Sequence, residues 1–449
     1  MSKSFSRTFS IALTLLIVVI FGAACGGSAN APAPTSPPIQ ATQVPSQATL
    51  PSGTAVAEIQ IPQGNVLPWL SVYFTDPNPP DDRPRGLDVN VIIPLINQTR
   101  RTIDLAYFDF NMPSLVDALI AAQQRGVKIR MVLDTRNGSL DVKAARGRNA
   151  YDALATIQRA RLPFVDGGRS SGLMHEKLLI LDGRVMFVGS MNGSWNDILR
   201  NNNNLLMITS QRLIENYQAV FNNMYEGKFF GSKRPEGARR QVLTIDGITV
   251  ENYFAPPDGV MSRIINEVNK ATQSIRFMSF TFTDKDLASA IMAKSRQRVT
   301  VEGVIENRGA SQGTMPTFAC NGLAVRVDGN PYTMHHKVFI IDEKVVITGS
   351  FNHTKAANTI NDESILIIRN AAVAKLYMGE FQKVFGASQL PKELTCDGRD
   401  LAPIGTDVCP NIEATCDELT CEQALACLKA GNDRLDRNND GVACDSKCK

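Results

Sequence analysis

The chain has only four histidines, and two of them open the same spacing: His175, Lys177 and Asp182 in one place, His335, Lys337 and Asp342 in another. In a strand, residues i and i+2 point to one face, so each histidine shares a face with its lysine. If the two copies pack about a pseudo-twofold axis, two imidazoles and two ammonium groups surround one anionic centre. That set suits a phosphodiester. One neutral imidazole attacks phosphorus and forms a covalent phosphohistidine. The other, protonated, gives its proton to the leaving oxygen and then activates water. The lysines offset charge on the non-bridging oxygens, so this chemistry requires no metal. No cysteine or carboxylate cluster accompanies the pairs, which argues against zinc. His336 and His353 have no counterpart at the other copy, where Glu176 and Gly193 stand, and they read as rim residues.

Downstream of each copy lies a second match, Gly189-Ser190-Met191-Asn192 and Gly349-Ser350-Phe351-Asn352. Ser190, Asn192, Ser350 and Asn352 can donate to phosphate oxygens, and glycine lets the backbone approach closely. Further on, Asn203 and Glu363 occupy equivalent positions and join the candidate substrate-binding set.

This paired pattern resembles the phospholipase D superfamily, and the second copy, through Asn361-Asp362-Glu363, is similar to its small bacterial nuclease branch. The resemblance spans about residues 71 to 385. It implies a metal-independent, two-step phosphodiesterase with one composite site: catalytic His175, Lys177, His335 and Lys337, phosphate contacts from Asn192 and Asn352, and structural support from Asp182 and Asp342. It also implies that a glutamate backs a histidine, as Glu363 can; Asn203 departs from that pattern. A carboxylate raises a histidine's pKa more than an amide does. His335 backed by Glu363 then suits the protonated acid, and His175 backed by Asn203 suits the nucleophile.

The elements that must position these groups also repeat. Val72-Tyr73-Phe74 recurs as Asn252-Tyr253-Phe254. Helical patterns on Val89, Ile92, Ile93 and Ile96, and on Met261, Ile264, Ile265 and Val268, follow. The runs 102–110 and 274–282 read as strands leading into helices, the first capped by Asn111 with Pro113 inside, the second by a Thr283–Asp286 capping box. Strands are expected at 127–133 and 299–305, at 177–181 and 337–341, and at 205–209 and 364–368, each of the last pair leading into a long amphipathic helix. From His175 to Ile208 and from His335 to Ile368 the two copies keep one register without a gap. The expected fold is α/β: two pseudo-twofold-related α/β/α repeats, 71–235 and 245–390, sharing one active site, plus a small disulfide-rich module at 396–449.

Lys3 and Arg7 before the apolar run Phe9–Ala24 read as an export signal over residues 1–25. Gly22-Ala23-Ala24-Cys25 resembles a lipoprotein cleavage site that would lipidate Cys25 and hold the protein at the outer face of a membrane; ordinary cleavage and secretion is the alternative. Residues 26–57, rich in Pro, Ala, Ser and Thr, read as a flexible tether. An extracytoplasmic location fits the cysteines: seven crowd the tail and the eighth beyond Cys25 is Cys320, so Cys320 pairs with a tail cysteine or one thiol stays free. Asp436, Asn438 and Asp440 alternate before Gly441 as calcium ligands do, although Lys447 stands where a closing glutamate would. The segment resembles the excalibur domain, a small extracellular calcium-binding module; a calcium-free disulfide knot is the alternative.

The tail holds 12 acidic and 7 basic side chains against 32 and 40 in the rest, so the body is positive and suits an anionic partner. Membrane tethering favours phospholipid head-group hydrolysis, releasing phosphatidic acid, by a monomeric body. The positive body and the basic stretch Lys233, Arg234, Arg239 and Arg240 favour an extracellular endonuclease on DNA or RNA. Trp195 and the Asn201–Asn204 run either shape a groove or pack as ring and turn. A non-catalytic surface binding protein is the reading of another class.

Overall fold

The computed structural model describes residues 59–60, 63–77, 86–142, 150–235 and 237–391, with short pieces of the tail between 395 and 448. Cys25 and the signal and tether segments lie outside the described residues, as do Asn438 and Asp440.

Each repeat builds one mixed sheet. The first has seven strands in the order Leu70–Phe74, Asn204–Ile208, Val185–Gly189, Lys177–Leu181, Thr102–Tyr107, Lys128–Leu133, Phe164–Asp166. The second repeats that order with Ile248–Ala255, Glu363–Arg369, Val345–Gly349, Lys337–Ile341, Ser274–Ser279, Thr300–Ile305 and Ala324–Val327, and adds Val242–Ile245 at one edge. The strands carrying the lysines run antiparallel to both neighbours and lie near mid-sheet.

Their composition follows from burial on both faces. Leu178 and Ile180 point into a core shared by the two sheets, together with Val338 and Ile340. Leu179 and Leu181 point into the outer core of the first repeat, Phe339 and Ile341 into that of the second. A strand with two dry faces has no polar alternation, and each buried aliphatic contributes about 2 kcal/mol. The long helices Gln211–Tyr225 and Ala371–Ala387 send Tyr217, Phe221, Tyr377 and Phe381 into the shared core, so the two sheets are welded across it.

Two cap assignments are corrected. Met112 precedes the helix Pro113–Gln124 with no side-chain cap. Asn111 instead uses its amide to hold the 139–141 loop and accepts from the N–H of Trp195. In the second repeat the cap is Asp284, which accepts from the N–H of Leu287, not Thr283.

Cys320 is bonded to the tail cysteine Cys396, the first of the two outcomes the odd count left open. In the tail, Cys416–Cys444 and Cys421–Cys448 tie down the helix Cys421–Lys429, whose Ala424 packs with Leu435 and Ala443. Of the three calcium-ligand candidates only Asp436 is described, and it is buried.

Candidate active site

Both histidines stand just ahead of their strands and are nearly buried, His175 at 4% and His335 at 7% exposure. Lys177 donates from Nζ to the carbonyl oxygen of His175, and Lys337 to that of His335, each at 2.7 Å. The i, i+2 pairing thus closes into a hydrogen bond that ties ammonium to histidine backbone. Beneath each histidine a carboxylate holds the preceding residue: Met174 N–H donates to Asp134 at 3.1 Å, Met334 N–H to Glu306 at 2.8 Å. Beside each stands a half-buried phenylalanine. Phe108 lies edge-on to His175 at 5.0 Å between ring centroids, and Phe280 to His335 at 4.8 Å.

The two halves brace each other's rings. His175 N–H donates to the Asp362 carbonyl at 3.0 Å, and His335 N–H to that of Asn202 at 2.9 Å. These bonds belong to short straps in which residues 201–202 pair with Thr333–Met334 and Asp362 pairs with Met174. Each strap therefore carries its side chains to the histidine of the opposite repeat. Glu363 Oε2 is 2.7 Å from Nδ1 of His175, and Asn203 Oδ1 is 2.9 Å from Nδ1 of His335. This corrects the pairing expected from sequence, in which Glu363 backed His335 and Asn203 backed His175. With both Nδ1 atoms engaged, Nε2 is the nitrogen each ring has for chemistry.

His335 does not lack a carboxylate. Asp197 Oδ1 lies 3.1 Å from its Nδ1, and the same oxygen accepts from Asn203 Nδ2 at 2.8 Å.

The Gly-Ser-x-Asn residues divide their duties differently from the expectation. Ser190 Oγ donates to Asn203 at 2.8 Å and Ser350 Oγ to Glu363 at 2.8 Å, so both hydroxyls brace the bracing groups rather than phosphate. The glycines serve the neighbouring strand. A Cβ on Gly189 would meet the Asn204 carbonyl at 2.4 Å, and one on Gly349 the Ser364 carbonyl at 2.1 Å; φ is +146° and +155°. Asn192 is buried, and its Nδ2 donates to Asp197 at 2.7 Å. Asn352 is half-buried, and its Oδ1 has no hydrogen-bond partner among the described residues.

Asp182 and Asp342 sit at the far ends of their strands. Asp182 accepts from the backbone N–H of Arg100, Arg101 and Thr102. Asp342 accepts from those of Thr272, Gln273 and Ser274 and from the Thr272 hydroxyl. They anchor turns and are no part of the site. His336 and His353 are corrected from rim to interior: both are buried, His336 near Glu380 and Asn204, His353 against Ser279. Trp195 begins a short helix and is half-buried, and Asn201–Asn204 form buried strap and strand rather than a groove wall. In the basic stretch, Arg234 is buried and paired with Asp362 at 3.3 Å, leaving Lys233, Arg239 and Arg240 exposed.

Burial, with Lys177 adding to it, pushes the Lys337 ammonium well below its ordinary range, and burial lowers Lys177 too. Burial and the two lysines hold His175 well below the usual imidazole value; burial and Lys337 push His335 down to about 3. Glu363 is pushed up by burial to about 8 despite the pull of Lys177. Burial also works on Asp197, but the charge of His335 and hydrogen bonds from His335, Asn201 and Asn192 outweigh it and hold the carboxyl below the usual range. An anion between the lysines would relieve the part of this depression that the lysine charges cause, not the larger part due to burial.

Sequence reasoning missed Asp134, Glu306, Phe108, Phe280 and Asp197. The phenylalanines carried a signal, since both fall two positions before the end of the matching runs 102–110 and 274–282. Asp197 carried none, because its repeat counterpart is Ala357.

The family model described as "Cardiolipin synthase, PLD-like domain" matches residues 92–225 and 264–385, one match in each repeat. A phospholipase D of Rickettsia felis is 29% identical over 160 residues, covering 35% of this chain and 80% of that protein. A mitochondrial cardiolipin hydrolase of Xenopus laevis is 33% identical over 130 residues, 28% of this chain and 62% of its own. The crystal structure of a phosphatidylserine synthase of Haemophilus influenzae superposes with a TM-score of 0.54 at 13% identity, over 72% of this chain and 88% of that one, a likeness of fold.

Proposed function

The chain belongs to the phospholipase D-like family and carries that superfamily's phosphodiesterase fold in duplicate, and from this we propose that it hydrolyses the head-group ester of a phospholipid, releasing phosphatidic acid, through a covalent phosphohistidine. Nε2 of His175 attacks phosphorus; the P–N bond forms as the P–O bond to the head group breaks. His335 gives its proton to the departing oxygen, then takes one from water, whose oxygen displaces His175 from phosphorus. Lys177, Lys337 and Asn352 meet the charge on the non-bridging oxygens. The observation that carries this reading is the crossed bracing of His175 by Glu363 and His335 by Asn203 and Asp197, which ties one imidazole from each repeat to side chains of the other. Relatives named phospholipase D and cardiolipin hydrolase support a lipid substrate, and a lipid anchor at Cys25 would hold the site at its surface.

One observation favours nucleic acid. Arg136 and Arg308 are both exposed and stand at matching positions two residues past Asp134 and Glu306, the carboxylates that hold the residues before the histidines. Such a pair can follow a polyanionic backbone. The test is a parallel assay on phosphatidylcholine vesicles and on single-stranded DNA and RNA, with EDTA present. Choline release that persists in EDTA and vanishes in His175→Ala is expected. Nucleic-acid cleavage without choline release would transfer the same chemistry to the second reading. Activity lost with EDTA and restored by metal would overturn the mechanism, and silence toward every ester would favour a surface-binding protein.

A further inference from the structure

The two repeats place their carboxylates differently. At the strap position the second repeat has Glu363 and the first Asn203; at the first turn of the next-door short helix the first repeat has Asp197 and the second Ala357. Each repeat therefore owns one carboxylate, at one of two positions, and both carboxylates reach the opposite repeat's histidine.

Resting on the phosphodiesterase reading above, we infer that Asp197 is the positioning carboxylate of His335, transferred from the strap to the helix Trp195–Leu199, and that it commits His335 to the acid–base role. Asp197 is 2% exposed, yet five donors surround it. Oδ1 takes Asn203 Nδ2 at 2.8 Å, Asn201 Nδ2 at 3.0 Å and His335 Nδ1 at 3.1 Å. Oδ2 takes Asn192 Nδ2 at 2.7 Å and Ser194 Oγ at 3.1 Å. A carboxylate so furnished stays ionised, and an ionised neighbour favours the imidazolium. Asn203 is then a spacer: its Oδ1 faces His335 while its Nδ2 ties it to Asp197, which turns a missing strap carboxylate into a relayed one. Oδ2 of the same carboxylate fixes Asn192, so the amide expected at phosphate is spent on holding the acid's partner. Glu363, by contrast, sits against His175 with Ser350 and Asn361 as its other donors and no comparable shell. The asymmetry gives the two otherwise equivalent histidines different work.

The test is a charge relocation. Asp197→Asn removes the carboxylate; Asn203→Asp supplies one at the strap but sets it against Asp197; the double variant moves the charge from one position to the other. Turnover is measured on two phosphodiesters, one with an activated p-nitrophenyl leaving group and one with an alkyl leaving group that must be protonated. Asp197→Asn is expected to slow the alkyl ester about 10²-fold and the activated ester less than about tenfold, since only the former needs the acid. The double variant is expected to recover most of the alkyl-ester rate and to exceed both single variants. ¹⁵N-histidine NMR in saturating inorganic phosphate, with the His335 signal assigned by His335→Ala, reads the same effect without turnover: His335 gains a proton more readily in wild type than in Asp197→Asn. Equal slowing of both esters, a double variant no better than Asp197→Asn, or unchanged His335 protonation would overturn the assignment. Wild type that turns over no ester would instead overturn the phosphodiesterase reading, while the NMR comparison would still decide the role of Asp197.

Discussion

Replacing Asp342 by asparagine separates two meanings of the repeated aspartate. The residue follows Lys337 by five positions along one strand, about 17 Å at the usual rise. It accepts from three backbone N–H groups and the Thr272 hydroxyl. Asparagine tolerates the left-handed φ of 51° at this position, so the backbone is not the variable. One oxygen survives to accept from Gln273 and Ser274, while the other becomes a donor facing the donors of Thr272. Losing about two charge-assisted bonds at a half-exposed turn costs about 2 kcal/mol, because water takes up part of the deficit. For units of this size that lowers Tm by about 4–8 °C. The Asp342 carboxyl is held below its usual value: burial opposes this, but the N–H groups of Ser274 and Gln273 and the Thr272 donors prevail. A depressed folded pKa contributes stability above the unfolded value and loses it as pH falls, so the gap between wild type and variant narrows below about pH 4. Urea melts at neutral and acid pH, beside kcat of the folded fraction at neutral pH, check each step. Asp182, with three donors, should give a smaller shift on the same substitution. An unchanged melt with kcat down more than about tenfold would refute the anchoring account and return the aspartate to the chemistry.

Two further outcomes follow from the same geometry. His335 must carry a proton to act as acid, yet burial and Lys337 hold it at about 3 in the free protein; the protonated fraction therefore falls as pH rises, and kcat/KM should climb from pH 8 toward pH 5, where a level profile would contradict it. Cys320 and Cys396 are 76 residues apart, a closure worth about 4 kcal/mol on the chain-entropy account; Cys320→Ser or reductant should lower Tm and leave kcat unchanged, and a reductant-insensitive melt would count against it.

The repeat made most of the fold readable. Lys177–Leu181 and Lys337–Ile341 run solidly apolar because both faces are dry, and the observed strands keep those bounds. The histidine and lysine pairs were legible because they recur. The bracing was not, since proximity along the chain suggested that Glu363 serves the histidine of its own repeat. The strap crossing depends on main-chain bonds such as His175 N–H to Asp362, and backbone pairing between repeats leaves no side-chain pattern to read. Asp197 stayed hidden for the opposite reason, as a residue with no copy. His336 and His353 looked peripheral because they lacked counterparts, but unpaired residues also fill the seam where two similar sheets meet, and that is where His336 lies, near Asn204 and Glu380.

Burial, reinforced by two nearby lysines, disfavours a charged imidazole in the free site, and on the proposed mechanism that couples the arrival of substrate to that of the proton. Lys177 and Lys337 are buried within electrostatic reach of each other and of both histidines. Burial first, and these lysines second, disfavour an imidazolium, so both rings stay neutral without an anion beside them. A phosphodiester monoanion cancels part of the field and makes one extra proton tolerable. Which ring takes it is set by the nearest firmly ionised carboxylate. Glu363, raised to about 8, is a poor holder of negative charge beside His175, whereas Asp197, with five donors, holds its charge against His335. A perfectly symmetric site would leave the two histidines competing for that proton and both partly disabled as nucleophiles. On the proposed mechanism, the departure from symmetry at positions 197 and 203 does chemical work that the repeat alone cannot: it leaves His175 free to attack and loads His335 to protonate the leaving oxygen.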